Sequence, residues 1–222
     1  METITSTSNP KVKLARSLRS KKERDAQGSF LCEGIHHVGV AYESGWQVDA
    51  AFYHPAGLHS EYGMRLVTQM DQAGLPLYEV NESVFESISE KENTLGIVAV
   101  LRKKQLTLES LEKMNLLAGM VTPQDPGNVG TVLRTLDAVG GGGLLLLDGG
   151  VDPWHPSVVR ASMGSFFTQP FAQCSFSDMV VWAKQQGWQL IGTSARGADL
   201  KSATLPEKKK IVLFGSEQKG LE

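Results

Sequence analysis

Apolar and polar positions alternate along this chain in two rhythms. Short apolar runs bounded by turn residues predict strands, and apolar residues recurring every three or four positions predict helices. In the first half, Asn9 as N-cap with Pro10 at the first helical position opens a helix on which Leu14 and Leu18 share one face. Gly28 closes the polar stretch that follows. Then come a strand over Ser29–Glu33, a helix from Gly34 to Ala41, a strand over Val48–Tyr53 and a helix over Tyr62–Ala73, stopped by Gly74. Leu77–Val80 is a strand, Asn81 caps a short helix through Ile88, and Gly96–Leu101 is a strand with a β-branched core.

A polar break at Arg102-Lys103-Lys104-Gln105 and a short connecting helix over Leu106–Lys113 lead to a second unit. Its expected elements are a strand at 116–121, a helix at 127–139, a strand at 144–147 and helices at 156–163 and 177–186. A strand at 189–193, a long polar loop at 194–209 and a strand at 211–214 complete it. Strands alternating with helices predict an α/β fold with a mostly parallel sheet in the second unit. The expected organisation is a small N-terminal α/β domain over 1–102, a linker over 103–114 and a second α/β domain over 115–222.

Composition narrows the function only locally. With 41% hydrophobic and 21% charged residues and a net charge of -2, the whole chain has no nucleic-acid signature. Residues 1–24, however, hold seven basic side chains (Lys11, Lys13, Arg16, Arg19, Lys21, Lys22, Arg24) against two acidic ones. A basic stripe on one helix would track phosphates; a solvated amphipathic face is the competing reading. Two cysteines, Cys32 and Cys174, in apolar surroundings suit a reducing compartment, hence the cytoplasm. No apolar run is long enough to span a membrane, and the basic N-terminus lacks the apolar core of a secretory signal.

The most informative stretch is Asp125-Pro126-Gly127-Asn128-Val129-Gly130-Thr131-Val132-Leu133-Arg134, between two apolar runs and followed by the glycines 140–143. It reads as strand, Pro/Gly turn, helix, glycine stop, strand, with an Asn at the turn and an Arg further along the helix. Open α/β sheets place ligands at the carboxyl ends of their strands. Arg134 and Asp137, three apart, would otherwise form a plain surface pair. A dinucleotide fingerprint is incomplete, a Gly-x-Ser-x-Gly elbow is absent, and none of the five histidines stands at ligand spacing with a cysteine or carboxylate. No metal is expected.

Three segments together carry a resemblance. Asn128-Val129-Gly130 with Arg134, the stretch Asp152 to Gly164 ending Val159-Arg160-Ala161-Ser162-Met163-Gly164, and Gly215-Ser216-Glu217-Gln218-Lys219-Gly220-Leu221 occur in this order. The chain thereby resembles the SpoU-type RNA ribose 2′-O-methyltransferases of the SPOUT class. Its N-terminal half, through Ser8-Asn9-Pro10, Arg24, Phe30 to Gly34 and Gly96 to Val100, is similar to that family's substrate-binding domain.

The resemblance implies methyl transfer from S-adenosylmethionine to a ribose 2′-hydroxyl of ribosomal or transfer RNA. It implies a homodimer and a trefoil-knot fold. Arg134, Asn128 and Glu217 would serve catalysis, Thr193 and Gly215 the cofactor, and Lys11, Lys13, Lys21, Lys22, Arg24 and Arg160 the RNA. The family's third motif, Ile-Pro followed by Ser-Leu-Asn and a final helix, is not among these residues. That motif closes the knot, lines the cofactor pocket and packs the dimer. The residues given are therefore expected to be a piece of the family's length, truncated at the C-terminus. The alternative function is an RNA-binding module that keeps the fold with an incomplete cofactor pocket.

Overall fold

A computed structural model of the chain describes residues 2–89, 96–104, 107–194, 196–197, 209–216 and 218–221. It divides into two compact units. One comprises Met1–Lys104 with Trp154–Phe167, the other Gln105–Pro153 with Thr168–Glu222.

The first unit is a five-stranded mixed sheet in the order β1-β4-β3-β5-β2. Its strands are β1 (Glu2–Ile4), β2 (Ser29–Glu33), β3 (Val48–Tyr53), β4 (Leu77–Val80) and β5 (Ile97–Arg102). β1 and β3 flank β4 in parallel, whereas β5 runs antiparallel to both β2 and β3. Five helices cross between them: α1 (Pro10–Ser17), α2 (Lys21–Gln27), α3 (Ile35–Glu43), α4 (Glu61–Gln72) and α5 (Glu82–Ile88). Asn9, Ser60 and Asn81 cap α1, α4 and α5 through their side chains. One core joins Val12, Ala15 and Leu18 of the first turns to Phe52, Phe85 and Val98.

Three expectations for this unit change. The basic run lies on two short helices, α1 and α2, broken by a turn at Leu18–Ser20, so it is no single stripe. Leu14 does not share the buried face with Leu18. Val12 and Ala15 do, while Leu14 is 42% exposed. Arg24 is 1% exposed, and its guanidinium donates to the carbonyls of Leu18 and Arg19, closing the end of α1. A buried guanidinium spent on two backbone carbonyls is a structural fastener, so Arg24 is withdrawn from the RNA-contacting set.

Trp154–Phe167 also packs in the first unit, which departs from the linear division at 115. The segment carries α7 (Pro156–Ala161), lying against β2, and the start of α8 (Ser165–Thr168). Its anchor is aromatic. Trp154 and Phe166 lie 5.0 and 5.7 Å from Phe30, and the Trp46 indole N–H donates to the Phe167 carbonyl at 3.0 Å. Lys104 sits 4.2 Å over Trp46, and burial holds its ammonium below the ordinary lysine range.

In the second unit the sheet is wholly parallel, ordered β8-β7-β6-β10-β9. Its strands are β6 (Leu116–Val121), β7 (Gly143–Leu147), β8 (Phe171–Cys174), β9 (Gln189–Gly192) and β10 (Lys210–Phe214). The helices are α6 (Pro126–Ala138) and α9 (Phe176–Gln185). Leu117, Leu145, Leu147, Ile211 and Leu213 form the core with Met179, Trp182 and Trp188. Gly119 has a packing reason: a β-carbon there would stand 2.7 Å from Leu213 Cδ2. The connecting helix expected at 106–113 is a single tight turn over Leu108–Leu111, and Gln105 and Leu106 lie outside the described residues. Most of the loop at 194–209 lies outside them too.

Candidate active site

β6 is the point where the second sheet changes direction. From it the chain steps outward through β7 to β8, then returns on the other side with β9 at the edge and β10 between β9 and β6. A crevice at the carboxyl ends of the strands flanking such a reversal is where α/β sheets hold ligands. Two cavities open there. One of about 810 Å³ is lined by Gly192, Thr193 and Ser194 after β9 and by Gly215, Lys219 and Gly220 after β10, with Arg196 also on its wall. A smaller one, about 400 Å³, lies against Thr122, Asp148, Phe176 and Ser216. Thr122 and Asp148, ending β6 and β7, hold left-handed backbone angles (φ 44° and 57°), unusual for residues with a β-carbon. Asp148 accepts a hydrogen bond from the Phe176 N–H at 2.9 Å, which fixes that corner.

The loop after β10 is closed on itself. Ser216 N–H donates to the Gly220 carbonyl (3.1 Å), Gly220 N–H donates back (2.9 Å), and the Ser216 hydroxyl accepts from Lys219 N–H (3.1 Å). Gly215 is tied to this closure. A β-carbon on it would fall 1.9 Å from the Gly220 carbonyl carbon and 2.2 Å from Leu221 N. The close approach that demands glycine here is made by the chain's own backbone. Thr193 is fixed from the neighbouring strand, its N–H and hydroxyl both donating to the Leu213 carbonyl at 3.0 and 2.9 Å. Thr193 and Gly215 thus wall one cavity. Glu217 lies outside the described residues.

On the other side of β6, α6 starts on Asp125. The carboxylate accepts from Gly127 N–H at 2.7 Å, and Pro126 occupies the first helical position. Val129, Gly130, Leu133 and Leu136 are buried, which leaves Asn128, Thr131, Arg134 and Thr135 exposed. The two threonine hydroxyls bond back to Gly127 and Thr131 carbonyls. Asn128 is inside the first turn and not at a turn before the helix. Arg134 is six residues further, about 9 Å along the axis and about 120° around it. Surface neighbours on a helix are three or four apart, so Asn128 does not orient Arg134 directly.

The surface pair between Arg134 and Asp137 does not form. The Asp137 carboxylate accepts from Gln169 Nε2 at 2.6 Å and from the Thr168 hydroxyl at 3.3 Å. Arg134 has no ion pair or hydrogen-bond partner among the described residues and is exposed. A guanidinium left without a counter-charge is available to an anionic ligand.

The remaining candidates lie in the first unit. Arg160, on α7, is half-buried and donates to the Ser157 hydroxyl at 3.4 Å. Lys13, Lys21 and Lys22 are exposed, while Lys11 pairs with Glu2 at 2.7 Å. Sequence reasoning passed over Ser194, Arg196 and Lys219 as cavity residues. Lys219 sat in a quoted motif and was detectable, but nothing in a polar loop marked Arg196. Among the described residues no group of three or more potential ligands could hold a metal ion, and no helix is long and apolar enough to cross a membrane.

Known proteins place this arrangement. Residues 9–99 match the family model of the MRM3-like substrate binding domain, and residues 115–222 match that of the SpoU rRNA Methylase family. An uncharacterised tRNA/rRNA methyltransferase of Synechocystis is 34% identical over 98% of this chain and 79% of its own length. A Bacillus subtilis 23S rRNA (guanosine(2553)-2′-O)-methyltransferase is 30% identical over 100% and 85%. An rRNA methyltransferase from Sinorhizobium meliloti, also solved with S-adenosylmethionine bound, superposes with a TM-score of 0.88 at 31% identity. It covers 100% of this chain and 84% of the other.

Proposed function

The chain belongs to the SpoU family of S-adenosylmethionine-dependent RNA ribose 2′-O-methyltransferases, and from that premise we propose how its own residues divide the reaction. The donor side is the cavity of about 810 Å³ at the ends of β9 and β10. Its volume falls in the roughly 300–1,000 Å³ range of small-ligand sites. Its wall at Gly220 is bare backbone with open space where a β-carbon would stand, the surface that lets a ligand lie close. The fit rests on that cradle. Thr193 and Gly215 would hold the cofactor, which supplies a methyl group on a positively charged sulfur.

Arg134 works on the acceptor. A 2′-hydroxyl is a weak acid, and negative charge grows on O2′ as its proton leaves to solvent. The guanidinium stays protonated, so it holds that charge, or the adjoining phosphate in bidentate fashion, and does not act as a base. Asn128, on the first turn of α6, contacts the ribose or its neighbour. The observation that carries this reading is the exposed Arg134, without a partner among the described residues, on a helix locked at its start by Asp125. The substrate is ribosomal RNA, a reading supported by relatives named for 23S rRNA; the cytoplasm and a homodimer are what the family resemblance implies.

The test compares Arg134→Lys and Arg134→Ala. Removing a donor aimed at developing charge costs about 10²–10³ in turnover. Arg134→Ala is expected to lose that much with calorimetric S-adenosylmethionine affinity unchanged, and Arg134→Lys to recover a small part. Full activity in Arg134→Ala would refute the assignment.

A further inference from the structure

The first unit carries a cavity that none of the methyl-transfer motifs touches. It measures about 210 Å³ and opens on the sheet beside α1. Val100 and Leu14, a leucine 42% exposed, give it an apolar lining. Tyr78, on β4, forms one wall. Its ring packs on Phe52 with centroids 5.4 Å apart, and Lys11 Nζ lies 4.1 Å from its centre. Arg102, ending β5, also lines it.

Arg102 is both exposed and fixed. Nη2 meets Asp49 Oδ2 at 3.0 Å and Nη1 donates to the Gln27 carbonyl at 3.2 Å, yet the side chain is 48% exposed. Asp49 is itself held by the Ser29 hydroxyl and by Gln47 Nε2, each at 3.0 Å. The guanidinium plane is therefore set in advance by a network beneath it. Lys11 is placed differently. Its partner Glu2 is 56% exposed, and a surface pair of that kind is weak and readily exchanged for a phosphate.

The volume is below that of a drug-sized site but admits one planar ring system. Apolar side chains, an aromatic ring under a displaceable ammonium and a fixed guanidinium line one cavity, the chemistry that holds an unstacked base and its phosphate. We propose that this cavity binds one unpaired nucleotide of the RNA substrate, its base displacing the Lys11 ammonium from the Tyr78 ring beside Arg102 and its phosphate taken up by Lys11. The proposal rests on the RNA methyltransferase reading and extends it to where unpaired RNA is gripped.

Two arms test it on the whole protein. The four nucleoside 5′-monophosphates are titrated against labelled protein, with amide shifts read by NMR. A fluorescent RNA stem-loop and a fully paired duplex are titrated by anisotropy against wild type, Tyr78→Leu and Arg102→Lys. Arg102→Lys keeps the charge but loses the plane, and thermal melting checks that both variants fold.

Expected are weak mononucleotide shifts at Ser29, Ala50, Tyr78 and Val100. Stem-loop affinity should fall about tenfold to a hundredfold in Tyr78→Leu, with duplex and S-adenosylmethionine binding unchanged. Folded variants that bind the stem-loop like wild type would overturn the proposal while methyl transfer by wild type leaves the enzyme reading intact. Tight mononucleotide binding without any effect on RNA would assign the cavity to a free nucleotide and overturn it too. A wild type that neither binds the stem-loop nor transfers methyl would fail both readings at once.

Discussion

Gly215→Ala isolates the donor side of the site. The new β-carbon would stand 1.9 Å from the Gly220 carbonyl carbon, against ordinary contacts that begin at 3.4 Å. One strand of the loop must therefore retreat by about 1.5 Å, the difference of those two distances. Backbone is what blocks it, so no side chain can rotate away. That retreat breaks both hydrogen bonds between Ser216 and Gly220. At about 0.5–1.5 kcal/mol net for each, reorganising the loop costs about 1–3 kcal/mol. If the cofactor needs the closed loop, that energy appears as a roughly 5- to 150-fold weaker dissociation constant. Calorimetric titration with S-adenosylmethionine measures it. A denaturant melt on the same sample shows whether the core, against which Leu221 packs at the end of the loop, is intact. Wild-type affinity in a folded Gly215→Ala protein would refute the claim that this loop holds the cofactor.

Three further outcomes follow from the first unit. Arg24→Met should lower stability by about 2–4 kcal/mol by stripping one buried and one part-buried carbonyl of their donor, with the salt dependence of RNA binding unchanged. A shallower salt slope would return Arg24 to the RNA surface. Trp154→Ala should cost about 3–5 kcal/mol and raise hydrogen exchange in β2 of the first unit, because Trp154 packs on Phe30. Loosening confined to the parallel sheet would contradict that placement. Burial, and next the charge of His36, hold His37 below its ordinary value near 6.5. The unfolded chain takes up that proton first. This part of the stability is therefore intact above about pH 6.5 and is lost as pH falls from there towards the folded value. His37→Gln should flatten the acid limb of a pH-stability curve, and an unchanged limb would refute it.

The sequence made the regular elements legible wherever one rhythm ruled. Leu116–Val121, between Asn115 and Thr122-Pro123, and Leu144–Leu147, after the glycine run, are apolar runs bounded by turn residues, and they became adjacent parallel strands. Asn9 and Asn81 are short polar residues before periodic segments, and each caps a helix. What stayed hidden depends on contacts distant in the chain. β1 is three residues whose strand character exists only beside Tyr78 to Val80. Phe171–Cys174 has too short an apolar signal to stand apart from the loop before it.

The burial of Arg24 could not be read from a charged run, because the carbonyls it serves belong to the turn it follows. Likewise the freedom of Arg134 is decided by Thr168 and Gln169, which take its nearest carboxylate from thirty residues away. The site motifs were visible as types and order. Which of their side chains are spent on the fold, and which are left for a ligand, is settled only by packing.

The most direct measurement of the chemistry uses S-adenosylmethionine labelled on its methyl group and ribosomal RNA lacking the modification. After transfer, the RNA is hydrolysed in alkali, where each 2′-hydroxyl attacks its own phosphate. A 2′-O-methyl group blocks that attack, so the label is expected in alkali-resistant dinucleotides, and to vanish from them in Arg134→Ala. Label recovered in mononucleotides, on a base, or label in dinucleotides at the wild-type level in Arg134→Ala, would contradict the assignment of this site to ribose methylation by Arg134.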